Sequence, residues 1–379
     1  MNPPLKALAA AALLVLAAGA SADESGLGRL YDGSRAPELP RFEVSRPETP
    51  HSMPLFELGA PTPVPPDLAA ARSRVGVAAQ LAKLGGTSAS GAFTFGVIGD
   101  AEPGRFAFER IFSPGPHVFA DQMRALQGAA PDFILQLGDF VSEGIPQNYR
   151  AHVAWLDAES NVPLLRCIGN HDRSRPNGDA DKNLYDAVFG PRDYFFDRGG
   201  WRFIALDTSN REVTPAQLAW LKGALSSPAR KVIFTHVPPK YLKTLKPLAI
   251  VGALETSSAE FAASQAEDQK SGGGLHDFLT NYFEDGASEF DELVSHGNVA
   301  AVYMGHIHAF WAADYKGVRY VISGGGGSPL YPLPPGFPKK KFAHYMTVAA
   351  SPSGLVETIH PLHGPSFALP PVRPQLTPE

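Results

Sequence analysis

Six side chains of metal-binding type stand in this 379-residue sequence where short apolar runs give way to polar loops: Asp100, Asp139, Asn170, His236, His306 and His308. They occur as Gly99-Asp100, Gly138-Asp139, Gly169-Asn170-His171-Asp172, Thr235-His236 and Gly305-His306-Ile307-His308. Asp and Asn oxygens mixed with imidazoles suit zinc, manganese or iron rather than calcium, and the lack of thiolate ligands argues against a structural zinc site. Two Asp, one Asn and three His are about the number needed for two ions sharing a bridging carboxylate. Ions ~3.5–4 Å apart hold both the attacking and the leaving oxygens of a phosphoryl displacement. Taken singly, each residue has a plainer reading: an Asp after a strand is commonly a cap or turn residue, and His306 and His308 are alternate residues on a strand edge. Only the ordered set argues for a site.

The elements that must position these groups are legible as β-rich runs at Phe93 to Gly99, Phe133 to Gly138, Leu164 to Gly169, Phe203 to Asp207, Lys231 to His236 and Val299 to Gly305. Helical spacing appears between them at His117 to Gln127, Gln147 to Asp157, Asp181 to Val188 and Thr214 to Leu225. Strands covered on both faces read as continuous apolar runs, so the pattern predicts an α/β domain with a βαβ sheet covered by helices. In such a sheet the carboxyl ends of the strands form the ligand crevice, and each candidate ligand sits at one. Val318 to Ser323, His344 to Ala349 and Leu355 to His360 have no helices between them and suggest a second sheet packed on the first. Between these groups, Lys240 to Asn298 holds a Ser-, Ala- and Gly-rich stretch (Glu255 to Gly274) and a helix-like run from Leu275 to Val294. Gly324 to Gly327 reads as a loop passing close to the site rather than a phosphate-cradling loop, because no Lys-Ser/Thr follows.

Composition bounds the rest. The chain is 44% hydrophobic and 19% charged with a formal net charge of -5. That excludes the clustered basic footprint of a nucleic-acid binder. Lys6, the apolar run Ala7 to Ala18 and Ala20-Ser21-Ala22 fit a signal peptide over residues 1–22, which implies export to a periplasm or beyond, and no later stretch is apolar enough to span a membrane. Residues 23–92 read as a Pro- and Gly-rich leader that drapes over the main domain or stays mobile, with a short helix from Asp67 to Leu84. The main domain then covers residues 93–364, and residues 365–379 form an irregular Pro-rich tail. Cys167, the sole cysteine, cannot form an internal disulfide and reads as a small core residue in a strand.

The ordered set of an Asp loop, Gly-Asp, Gly-Asn-His-Asp, a lone His and Gly-His-Ile-His resembles the calcineurin-like metallophosphoesterase superfamily over residues 93 to about 362. That superfamily includes purple acid phosphatases, cyclic-nucleotide phosphodiesterases and nucleotidases. The resemblance implies a four-layer α-β-β-α sandwich, two packed mixed sheets flanked by helices. It implies one metal on Asp100, Asp139 and His308 and a second on Asp139, Asn170, His236 and His306. It further implies that His171 stabilises the phosphoryl transition state or protonates the leaving oxygen, and that Asp172 orients its imidazole. One position departs from the pattern: relatives with Asp-x-His in the first motif contrast with Asp100-Ala101-Glu102 here, and the tyrosine of purple acid phosphatases is replaced by Ser142. Glu102 either substitutes as a ligand or points away.

Two functional classes follow. The first is hydrolysis of a small phosphate mono- or diester by a hydroxide held between two metal ions. The second is a non-catalytic or single-metal binding module that keeps the fold, motivated by the altered first motif and separable by metal content. A serine hydrolase is set aside because no Gly-x-Ser-x-Gly elbow occurs. The sequence is silent on oligomeric state.

Overall fold

Short runs rich in Val, Ile, Phe and Tyr set the architecture. The computed structural model describes residues 62–85, 91–101, 115–177, 180–245, 248, 282–328, 330 and 342–372. The signal-peptide pattern, Glu102, the stretch 255–274 and Lys339 to Lys341 lie outside the described residues.

The runs form two six-stranded mixed sheets. The first contains β1 (Phe93–Ile98), β2 (Phe133–Gln136), β3 (Leu164–Arg166), β10 (His344–Ser351), β11 (Gly354–Pro361) and β12 (Phe367–Ala368), in the order β12-β11-β10-β1-β2-β3. The second contains β4 (Tyr194–Arg198), β5 (Trp201–Leu206), β6 (Arg230–Thr235), β7 (Val299–Met304), β8 (Phe310–Tyr315) and β9 (Val318–Ser323), in the order β4-β5-β6-β7-β9-β8. Strands β1, β2 and β3 run parallel, as do β5, β6, β7 and β9.

Alternate side chains of the two sheets face each other and make the central core. Phe95 stacks on Phe133 at 5.4 Å and meets the edge of Phe203 from the opposite sheet at 5.1 Å. The outer face of the first sheet is covered by α3 (Gly115–Gly128), α4 (Pro146–Glu159) and α5 (Asn183–Val188), that of the second by α6 (Pro215–Leu225) and α7 (Ala287–His296). The result is the α-β-β-α sandwich that the sequence implied. Cys167 is buried in the central core. Among the described residues no helix is long and apolar enough to cross a membrane.

Several local expectations need correction. The late segments do not build a sheet of their own: β9 pairs in parallel with β7, while β10 runs antiparallel to β1 and carries β11 and β12 with it. A strand joins whichever edge offers free N–H and C=O groups under a matching apolar face. Met346, Val348 and Ala350 of β10 supply that face to the edge left open by β1. The helix expected from Leu275 is Ala287–His296 within the described part of that range. Phe283 and Asp285 instead bridge to Pro239 and Glu212, and Gly286, at φ 78°, turns the chain into the helix. The tail expected to be irregular contributes β12.

Of the leader, residues 66–84 form α1 (Pro66–Val75) and α2 (Val77–Leu84), divided by an extended Gly76. Leu68, Ala71 and Val75 are buried against α4 and α5. Arg150 donates to Asp67 at 2.6 Å and Arg74 to Asp157 at 2.8 Å. This stretch is thus part of the folded unit.

His344 ties the two sheets together: its Nδ1 donates to the Phe342 carbonyl (2.8 Å), and its Nε2 accepts from the Ser323 hydroxyl (3.0 Å). Burial pushes its pKa down to about 4, although the backbone contact opposes this. With a folded value below the ordinary 6.5, the unfolded chain takes up the proton first. Stability from this group is therefore complete above pH 6.5 and is lost as pH falls toward 4, by about 3 kcal/mol at most. Denaturant titrations of the parent and a His344→Asn variant should show a stability difference that shrinks across this interval. A constant difference refutes the assignment.

Candidate metal centre

The candidate ligands sit at the seam where the carboxyl ends of both sheets meet. Asp100, Asp139 and Asn170 follow β1, β2 and β3 of the first sheet, while His236, His306 and His308 follow β6 and β7 of the second. The oxygen donors come from one layer and the nitrogen donors from the other, so the site exists only when the layers are packed. All six side chains are buried.

The turns that present them are conformationally costly. Asp100 (φ 58°), Asp139 (φ 51°) and His306 (φ 69°) all occupy the left-handed region, which costs a non-glycine residue on the order of 1–3 kcal/mol and is concentrated at functional sites. Asp100 is locked there by the His306 N–H, which donates to Oδ1 at 2.9 Å and Oδ2 at 3.1 Å. The His171 N–H donates to Asp139 Oδ1 at 2.8 Å.

Lone pairs converge at the centre. His236 donates from Nδ1 to the Leu137 carbonyl (2.7 Å), which leaves the lone pair of its neutral ring on Nε2. That nitrogen lies 3.0 Å from Asn170 Oδ1 and 3.2 Å from Asp139 Oδ2. The Asn170 amide nitrogen is engaged by the Pro176 carbonyl at 3.2 Å, so its oxygen is the atom turned inward. His306 Nδ1 joins at 2.9 Å from Asn170 Oδ1 and 3.2 Å from His236 Nε2, while its own Nε2 is buried without a hydrogen-bond partner.

Acceptors packed this closely need a proton or a metal cation among them. Where a proton supplies it, His236 is driven up to about 9: burial works against the charge, but the Asp139 carboxylate, with Asp100 behind it, outweighs burial. Burial likewise pushes the Asp139 carboxyl up, and the surrounding imidazoles of His236, His171 and His306 reverse this and hold it well below the usual carboxylate range. His306 is kept neutral, first by burial and then by its neighbour His236. Neutral imidazoles and an ionised carboxylate are the states that bind metals, so the donor set fits a cation.

The donors form two overlapping groups, Asp139 with His236 and His306, and Asp100 with Asp139 and His308, the ligand atoms within each group lying within 4.8 Å of one another. Asp139 belongs to both. Asn170 completes the first group through its contacts to His236 and His306. His308 Nε2 lies 3.6 Å from Asp100 Oδ1 in the second.

Asp172 does something other than orient the His171 ring. Its carboxylate accepts four backbone N–H groups, from Asp139 (2.9 Å), Phe140 (2.9 Å), Val141 (3.3 Å) and Gly169 (2.7 Å), and so clamps the β2 and β3 ligand loops together. Burial and the neighbouring Asp139 push its carboxyl up to about 7 against the pull of those donors. The His171 ring is held instead by the Ser142 carbonyl, 2.9 Å from Nδ1. The same Ser142 stands where a tyrosine was looked for.

Gly324 to Gly327 passes beside the centre as a brace: Gly326 and Ser328 donate to the carbonyls of Gly99 and Asp100. Trp311 belongs to the core over the second sheet.

Sequence reasoning overlooked Arg173. Its buried guanidinium donates to the carbonyls of Asn170 (3.2 Å) and Pro176 (2.7 Å) and to Asn210 Oδ1 (2.8 Å), bracing the carbonyl that aims Asn170. Its position directly after Gly-Asn-His-Asp was the available signal. Gly169 is likewise more than a turn residue, because a Cβ there would collide with Asp139 Oδ1 and the Asp139 backbone nitrogen. Gly169→Ala should weaken metal binding about 10- to 100-fold, the range for outer-shell changes, while the protein stays folded. Calorimetric titration of chelator-stripped protein checks this, and unchanged affinity contradicts the close packing.

The family described as calcineurin-like phosphoesterase matches this sequence over residues 93–310. No curated protein matches the chain. Among solved structures, the chain is similar to a dimetal phosphatase from Danio rerio (14% identity, 73% of this chain and 98% of that one, TM-score 0.46). It is also similar to GAP50, the anchor in the inner membrane complex of Plasmodium (13% identity, 75% and 90%, TM-score 0.45). A third is the phosphopantetheinyl hydrolase of Mycobacterium tuberculosis (13% identity, 61% and 89%, TM-score 0.36).

Proposed function

The chain belongs to the calcineurin-like phosphoesterase family, and from that premise we propose that it hydrolyses small phosphate mono- or diesters using two metal ions. One ion takes Asp100, Asp139 and His308, the other Asp139, Asn170, His236 and His306. The observation that carries this reading is the sharing of Asp139 by two donor groups, which is the arrangement of a bridging ligand. Bound there, manganese, zinc or iron would neutralise the phosphoryl oxygens and activate the attacking water.

The chain's own residues supply the rest. Asp172 and the strained turns at Asp100, Asp139 and His306 hold the ligands in place before any ion arrives, so little reorganisation is needed on binding. His171, fixed through Nδ1 by the Ser142 carbonyl, is the group we assign to protonating the departing alkoxide or steadying charge on the phosphoryl group. Glu102, as a further ligand of the first ion, lies outside the described residues and is tested by substitution.

The direct experiment is a panel of chromogenic mono- and diesters assayed with chelator-stripped protein and after reloading with manganese, zinc or iron. Activity should vanish with the chelator and return with metal. Fully metallated protein that cleaves nothing in the panel overturns the proposal, and metal analysis of the same samples separates an enzyme with two ions per chain from a binding module with one or none. The reading includes export, on the pattern in residues 1–22, and Edman sequencing of the mature protein near Asp23 tests it.

A further inference from the structure

Away from the centre, on the outer face of the first sheet, β3 carries Arg166, whose side chain is buried although no carboxylate among the described residues lies within ion-pair distance of it. Its guanidinium lies over the Phe189 ring at 3.9 Å and near Phe140 at 5.1 Å, and Nη1 donates to His152 Nε2 at 3.0 Å. Burial, reinforced by Arg166 itself, keeps His152 neutral, so it offers a lone pair but no counter-charge. A guanidinium has five N–H donors. One of them is taken by His152, and Arg166 also lines a cavity.

That cavity, about 490 Å³, lies between α1–α2 and α4–β3. Its polar lining includes Arg74, Lys83, Asp157 and Ser160. Asp157 is paired with Arg74 at 2.8 Å, which leaves Arg166 at the floor and Lys83 at the mouth as the charges without an acidic partner among the described residues. A buried charge without a counter-ion is costly, and an incoming anion removes that cost.

We propose that this cavity binds a small tetrahedral oxyanion of the phosphate class. The planar fork of Arg166 takes two oxygens side by side, and Lys83 closes on a third, an oxygen that a carboxylate lacks. Because the walls come from α1–α2 on one side and from α4 and β3 on the other, the bound anion fastens the N-terminal helices onto the domain. It also loads the strand that runs on into Asn170.

The test uses full-length protein stripped of metal and titrated with inorganic phosphate at constant ionic strength, against chloride and acetate. Saturable binding with a rise in melting temperature is expected for phosphate alone. Arg166→Lys, which keeps the charge and loses the fork, should bind at least tenfold more weakly. Lys83→Glu, a change on an exposed helix surface that leaves the core intact, should also weaken binding at least tenfold, and His236→Ala should not alter it. No saturable response in the parent, an unaltered Lys83→Glu, or loss of binding in His236→Ala would each overturn the proposal, the last by placing the phosphate in the metal centre.

Discussion

Asp139→Asn is expected to abolish turnover while leaving the chain folded. The amide is isosteric, and its oxygen keeps the 2.8 Å bond from the His171 N–H. Its nitrogen then faces His236 Nε2, where the carboxylate oxygen stood at 3.2 Å. A donor thus replaces an anionic ligand at the point the two donor groups share. Two-metal electrostatics contribute several kcal/mol to such transition states, and about 1.4 kcal/mol is tenfold in rate, so the loss should be on the order of 10³-fold or more. Bound metal should fall from two ions to one or none per chain. Kinetics beside elemental analysis checks this, and parental metal content with parental rate removes Asp139 from the bridging position.

His171→Gln should separate chemistry from metal binding. The residue's backbone N–H donates to Asp139 while its ring is held at Nδ1 by the Ser142 carbonyl, so substituting the side chain leaves the six proposed ligands in place. A general acid contributes about 10²- to 10⁴-fold. The loss should approach that range for alkyl phosphates, whose leaving groups need a proton, and shrink for nitrophenyl esters, whose leaving groups do not. Metal content should be unchanged. An equal loss on both substrate types would assign His171 to steadying phosphoryl charge instead of delivering a proton.

The two kinds of structural feature were not equally legible. Apolar runs such as Phe133–Gln136 and Arg230–Thr235 announce strands because burial on both faces leaves no polar register to read around. Strand β4 escaped notice because Phe195 and Asp197 face outward and break the run. The division into sheets was misjudged for a different reason. Adjacency in a sheet is a property of hydrogen-bonding edges, and nothing local in Val318–Ser323 distinguishes pairing with β7 from pairing with the hairpin β10–β11. The resemblance implied that Asp172 orients the His171 ring. Its carboxylate instead reaches the backbone of residues 139–141, some thirty positions earlier.

The sequence by itself determined the donor inventory, its order and its placement at strand ends, because residue type and apolar patterning are local properties. It also carried the family, since the spacing of Gly-Asp, Gly-Asn-His-Asp and Gly-His-Ile-His is written in the chain. Only the tertiary structure decided that the oxygen donors come from one sheet and the imidazoles from the other, and that Leu137, Ser142, Pro176 and Arg173 aim them. The division between the sheets and the contacts from Leu137 and Ser142 depend on distances between segments tens of residues apart or more. Such distances are set by how two layers pack, and no stretch of the chain carries them alone.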